Sequence, residues 1–202
     1  MQKIYLLSVK EISENVGRVK AILPAFSVAK SERYADKTDE HRSLGAALLI
    51  KAFTAESPLL CSENGKPYKA APPFFNASHT DDKVGIFISD ESKVGFDVQR
   101  IKEYNEKLAE YAFSEEEKRL IKDGVSFTKL WTMKESAAKL TGEGIRNAKR
   151  QAMTEITENS FIFGGKKVYY ETFLTHKYAL TASSYKPISA KITEITVNEI
   201  IK

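Results

Sequence analysis

A single cysteine, Cys61, stands in 202 residues, so the chain can close no internal disulfide and build no zinc site from several thiolates; a reducing compartment fits. No apolar run approaches the ~20 residues that a membrane-spanning helix requires. Residues 1–10 lack the basic start, apolar stretch and small-residue cleavage site of a secretory leader. These absences lead to the expectation of a soluble, cytoplasmic protein with no membrane partner. Charge of one sign is also missing. Lys and Arg number 31 against 27 Asp and Glu, a net charge of +4 spread along the chain. Such a surface suits phosphates, an acidic protein or a polynucleotide about equally. A nucleic-acid binder would need a basic stripe, and no RNA- or DNA-binding motif occurs, so no nucleic acid is expected as partner. There are no low-complexity tracts and no long linkers.

The chain is 42% hydrophobic, enough for one substantial core or two small lobes, since domains usually run ~100–150 residues. Residues 3–9 read as a strand and 11–23 as a helix stopped by Pro24. From Lys30 to Ala55 the pattern is helical, solvated in its charged first part and buried from Leu44 to Phe53. Residues 57–73 carry four prolines and form a loop with Asn64-Gly65 as its tightest turn. Three short strands, 74–78, 84–89 and 94–98, read as a meander. Helices follow at 103–112, from the Ser114/Glu117 capping box to Ile121, and at 127–140, closed by Thr141-Gly142. The remainder reads as strands around a Gly164-Gly165 turn. The order β, α, α, β, β occurs twice, which predicts an α+β fold of two similar lobes, 1–93 and 94–202. Each lobe is expected to pack a small antiparallel sheet with helices in a pseudo-twofold arrangement.

Four segments carry chemistry. In Val94-Gly95-Phe96-Asp97-Val98-Gln99 an acid sits inside an apolar strand with Gln99 on its face. A buried acid needs a cation or hydrogen bonds, so a metal ligand and a structural Asp both fit. In the helix from Leu130 to Leu140, Leu130, Met133, Ala137 and Leu140 form an apolar stripe, while Trp131, Glu135 and Lys139 recur at steps of four. Glu135 and Lys139 read either as an exposed ion pair, worth about 0.3–0.5 kcal/mol, or as a magnesium ligand and a phosphate clamp. Phe75-Asn76-Ala77-Ser78-His79-Thr80 ends in groups able to hold phosphate oxygens or to serve as structural donors. Asn64-Gly65-Lys66-Pro67 is a turn with a lysine.

Taken in order, these segments resemble the Sfp-type phosphopantetheinyl transferases, whose pattern is G-K-P, F-N-x-S-H-[ST], G-[IVF]-D-x-E and [FW]-[ST]-x-K-E-[SA]-x-x-K. His41-Arg42-Ser43-Leu44 and Phe113-Ser114-Glu115-Glu116-Glu117 extend the match, over residues of about 30 to 145. The resemblance implies two related lobes holding coenzyme A between them, in a monomer. It implies magnesium held by Asp97 and Glu135, Lys139 on the pyrophosphate, and Ser78 with His79 on phosphate groups. It also places Lys30, Arg42 and Ser43 at the 3′-phosphate and Lys66 near the adenine. Most members carry a second acid where this chain has Gln99, which would reach the metal through a water. The reaction implied is transfer of the phosphopantetheine arm of coenzyme A to a serine of an apo acyl or peptidyl carrier protein, releasing 3′,5′-ADP. Glu135 and Lys139 are the expected catalytic pair, and Lys118, Arg119 and Lys122 a candidate carrier surface. The alternative is a coenzyme A-binding relative impaired in catalysis by Gln99.

Overall fold

The computed structural model describes residues 1–54, 59–62, 67–142 and 151–201. The chain forms two compact units, Met1–Asp90 with Lys191–Lys202, and Glu91–Ala190. The fold class is α+β, as expected.

In the first unit, β1 (Gln2–Ser8) is followed by helices α1 (Val9–Glu14), α2 (Val16–Ile22), α3 (Ala25–Ser31) and α4 (Lys37–Thr54). A small hairpin, β2 (Leu60–Cys61) with β3 (Pro67–Tyr68), precedes the antiparallel pair β4 (Phe74–Thr80) and β5 (Lys83–Ser89). The sheet order is β10-β1-β5-β4, with β10 (Lys191–Ile195) parallel to β1 and a last helical turn, Val197–Ile200, closing the unit. Strand alternation decides which residues meet the helices. Leu7 of β1, Val84, Ile86 and Ile88 of β5 and Phe75 of β4 share a core with Leu44, Leu48 and Leu49 of α4. Leu44 and Leu48 stand one turn apart on one helix face, which is why the late part of α4 is buried.

The second unit opens with β6 (Val94–Arg100), continues through α5 (Glu106–Ala112), α6 (Glu115–Lys118) and α7 (Gly124–Thr141), and ends in the meander β7 (Ser160–Phe163), β8 (Lys166–Leu174), β9 (Tyr178–Ser184). Its sheet order is β6-β9-β8-β7. The capping box joins Ser114 and Glu117 in both directions, and Gly142 ends α7 at φ 81°, a left-handed conformation that costs glycine little. The expected apolar stripe of α7 enters the core of this unit beside Phe127, Phe161, Phe163 and Val168. Both units share part of their wiring: a first strand, helices, then antiparallel strands of which β5 in one unit and β9 in the other pair antiparallel with the first strand.

The structure departs from the sequence reading at several points: the 30–55 helix is interrupted between Ser31 and Lys37, the 57–73 loop holds the β2–β3 hairpin, and four further differences bear on the architecture. The expected three-strand meander is divided, since β4 pairs with β5 while β6 pairs with β9. Residues 191–202 belong to the first unit rather than to a lobe running from 94, because β10 pairs with β1, a parallel contact between distant segments that local pattern does not reveal. The 11–23 helix is divided at Asn15, the C-cap of α1 and N-cap of α2. The charged stretch before Leu44 is not simply solvated. Glu40 is buried, bonded to Lys20 of α2 at 2.7 Å and Lys37 at 2.6 Å, and Lys20 also reaches Glu32 at 2.9 Å. This cluster fastens α2, the end of α3 and the start of α4.

Candidate functional site

Two features of the second unit place Asp97. Gly95 brings β6 so close to α7 that a Cβ there would stand 1.9 Å from the Ser136 carbonyl oxygen. Alternation then turns Asp97, two residues on, toward the same helix. Asp97 is buried and its Oδ1 accepts from Lys139 Nζ at 2.7 Å. The same ammonium donates to the Phe96 carbonyl at 3.2 Å. Gln99 Nε2 donates to Asp97 Oδ2 at 3.3 Å, so each carboxylate oxygen has a donor. Glu135, one helical turn before Lys139, is only 7% exposed. The reading of Glu135 and Lys139 as a surface pair therefore fails: one is buried and the other reaches across to the strand.

Asp97, Glu135 and Lys139 together carry one net negative charge, with the neutral Gln99 beside them. The Asp97 carboxylate and the Gln99 amide beside it offer oxygen donors, the chemistry that suits a hard divalent cation such as magnesium, and Glu135 adds a carboxylate on the same helix as Lys139. The positive charge now against Asp97 is that of Lys139, so a cation there would meet oxygens already turned toward a positive partner. Among the described residues no group of three or more His, Cys, Asp and Glu is placed to hold a metal.

Beside these residues lies a buried ion pair. Lys134 Nζ donates to Glu117 Oε2 at 2.8 Å and to the Ala112 carbonyl at 2.6 Å, and lies over the Phe113 ring at 5.2 Å. Glu117 also accepts from the backbone N–H of Ser114 at 2.7 Å and of Met153 at 2.9 Å. Burial lowers the Lys134 pKa from its usual value, opposed by Glu117. Trp131, partly buried, sits among Phe113 and Phe127 with ring centroids 6.3 and 6.4 Å away. Lys118, a candidate for a carrier surface, is bound to Glu110 at 2.6 Å and also paired with Glu115.

In the first unit α3, α4, the small hairpin and β4 enclose a cleft of about 430 Å³. Lys30, Ser43 and His79 line it, as do Phe26, Tyr34 and Lys51. Phe26 and Tyr34 are exposed aromatic side chains at its wall. Ala77 and His79 belong to the lining, whereas Ser78 between them is buried and absent from it, because neighbouring strand residues point to opposite faces. Arg42 is not part of the lining either. Its guanidinium donates to the Asp81 carbonyl at 3.2 and 3.0 Å and to Asp39 Oδ1 at 2.6 Å. Lys66 lies outside the described residues.

Residues 93–189 match the model of the 4′-phosphopantetheinyl transferase superfamily, a span that holds Asp97, Gln99, Glu135 and Lys139. Along more of the chain, the 4′-phosphopantetheinyl transferase psf-1 of Bacillus pumilus is 31% identical over 164 residues, covering 71% of this chain and 70% of that protein. The chain belongs to this superfamily. A second relative, the 4′-phosphopantetheinyl transferase gsp of Aneurinibacillus migulanus, is 35% identical over 127 residues, 56% of this chain and 53% of its own. The 4′-phosphopantetheinyl transferase AcpT of Salmonella typhi is 32% identical over 109 residues, 48% and 56%. The matches thus span about half the length of these last two.

Of the residues expected for a member of the 4′-phosphopantetheinyl transferase superfamily, the structure brings some together in two places and leaves Arg42 and Ser78 out of the cleft. Asp97, Gln99 and Lys139 are joined by direct bonds, with Glu135 on the same helix, and Lys30, Ser43 and His79 share one cleft. Sequence reasoning missed Phe26, Tyr34 and Lys51 as cleft residues and missed the Lys134–Glu117 pair. Phe26 follows Pro24 at the start of a short helix, a position with no periodic signal of its own. The pair did have a signal: Glu117 closes a capping box and Lys134 interrupts an apolar face.

Proposed function

We propose that this chain transfers the phosphopantetheine arm of coenzyme A to a serine hydroxyl of an apo acyl or peptidyl carrier protein. The serine oxygen bonds to the β-phosphorus, the bond from phosphorus to the bridging oxygen breaks, and 3′,5′-ADP leaves. The observation that carries this reading is the Asp97–Lys139 bond at 2.7 Å, with Glu135 one turn away, inside the segment that matches the superfamily. Asp97 and Glu135 would hold magnesium, with Gln99 assisting through a water. Bound there, the ion would supply positive charge to the pyrophosphate as negative charge grows on the leaving oxygen. Lys139 turns from Asp97 to the pyrophosphate, and Glu135 accepts the serine proton.

The cleft of the first unit takes the nucleotide end of coenzyme A. Its aromatic and aliphatic walls suit the adenine, and Lys30, Ser43 and His79 offer donors to phosphate oxygens. Arg42, Ser78 and Lys66 remain assigned to coenzyme A by the family pattern. In this reading the protein acts as a monomer in the cytoplasm, with the carrier docking near Arg119 and Lys122 and no role for nucleic acid. Among the described residues no helix is long and apolar enough to cross a membrane.

The test is mass spectrometry of an apo carrier protein incubated with coenzyme A, magnesium and this protein. The expected result is a carrier heavier by one phosphopantetheine, with Glu135→Gln reducing the rate by about a hundredfold or more. An unmodified carrier, alongside measurable coenzyme A binding, would refute the transferase reading. Full turnover by Glu135→Gln would remove Glu135 from the proton transfer.

A further inference from the structure

The contact of α7 with its sheet is apolar against β7 and β8 but carries hydroxyl pairs against β9. Thr132 Oγ1 and Thr181 Oγ1 stand 2.8 Å apart, and Ser136 Oγ and Ser183 Oγ 2.6 Å apart. All four residues are fully buried. Thr132 also donates to the Lys129 carbonyl at 2.9 Å and Ser136 to the Met133 carbonyl at 2.9 Å. A hydroxyl has one proton, so each helix hydroxyl, having given its own to the backbone, accepts from its partner on β9. Thr181 has a further hydroxyl neighbour, Thr172 on β8, at 3.0 Å.

We infer that Thr132, Ser136, Thr181 and Ser183 are positioning residues, two hydrogen-bonded rungs that fix α7 over the sheet so that Lys139 reaches Asp97. The spacing supports this. One turn along the helix from Thr132 to Ser136 is about 6 Å, and two residues along a strand from Thr181 to Ser183 is about 7 Å, so both rungs can close together. The β6 residues opposite Thr181 and Ser183 are Asp97 and Gly95. The rungs therefore stand beside the acid they align and the glycine that admits the helix. Interdigitated apolar side chains adapt to a small roll or slide by changing rotamer. A buried hydroxyl pair does not, because its bond weakens steeply with distance and angle and no water is at hand to replace it.

The effect on transfer rests on the function proposed above; the effect on Lys139 does not. Thr132→Val with Thr181→Val removes one rung while keeping shape and volume; both hydroxyls of the rung go together, and only the half-buried Thr172 loses a neighbour. Ser136→Ala with Ser183→Ala removes the other, and serves if the first pair fails to fold. Limited acetylation of the folded protein, read by peptide mass spectrometry against Lys10, which is 80% exposed in its side chain, reports access to Lys139 without coenzyme A or carrier. The expected result is a several-fold rise in Lys139 labelling relative to Lys10. Transfer should slow about ten- to a hundredfold, mainly in kcat, and Thr132→Ser, which keeps the hydroxyl, should remain near wild type in both. A folded double variant with unchanged Lys139 labelling would overturn the inference, whatever its transfer rate. Wild-type protein that transfers nothing would instead overturn the proposed function, while the labelling still decides this inference.

Discussion

Replacing Lys134 with methionine isolates the buried ion pair of the second unit. The change keeps an unbranched apolar stem of similar length and removes only the ammonium, with its bonds to Glu117 Oε2 and the Ala112 carbonyl. Glu117 is fully buried, so its carboxylate would retain the Ser114 and Met153 N–H groups but no counter-charge. Leaving one partner of such a pair costs about 3–5 kcal/mol. A protein of this size loses roughly 2–4 °C in Tm for each kcal/mol, so Lys134→Met should melt about 6–20 °C lower by calorimetry or circular dichroism. Glu117→Gln added to Lys134→Met removes the stranded charge and should recover part of the loss, an interaction a double-mutant cycle would measure. A loss below about 1 kcal/mol, the range of exposed pairs, would show that the pair is solvated and refute the reasoning.

Two further outcomes are expected. Lys20, with Lys37, holds the Glu40 carboxyl down to about 2 from its usual 4.5. Its folded value lies below its unfolded one, so its stabilisation is present above about pH 4.5 and fades as pH falls toward 2, by up to about 3 kcal/mol. Urea titrations from pH 7 to 2 should show Glu40→Gln less stable at neutral pH with a shallower acid limb, and parallel limbs would contradict this. Gly95→Ala would drive a methyl to 1.9 Å from a backbone oxygen and 2.8 Å from the Leu140 nitrogen, where no flexible side chain can give way. It should lower Tm by several degrees, as overpacking of about 1–3 kcal/mol requires, and slow transfer by separating α7 from β6; wild-type melting and transfer would refute the close approach.

Local signals were legible where chemistry is local. Ser114 and Glu117 announced a capping box, Gly142 a helix end, and Gly164-Gly165 the turn between β7 and β8, where both glycines have positive φ. Strand alternation also held enough to separate Ser78 from His79, a consequence the motif reading did not draw. The Asp97–Lys139 bond joins residues 42 positions apart, and spacing alone left their charges open to several readings. Burial of Glu40 and Lys134 was less accessible, because charged residues are almost always exposed unless paired, and the partners Lys20 and Glu117 lie on other helices. The parallel contact of β10 with β1 left no periodic mark at all.

That last contact makes the first unit discontinuous in the chain. Glu91–Ala190 is an insertion within it, and ribosomal synthesis finishes this inserted body before Lys191–Ile195 exists to cover the edge of β1. Until then β1 presents unpaired backbone groups along one side, the kind of open template that recruits foreign strands. Chains released early, before residue 191, are the ones that should aggregate.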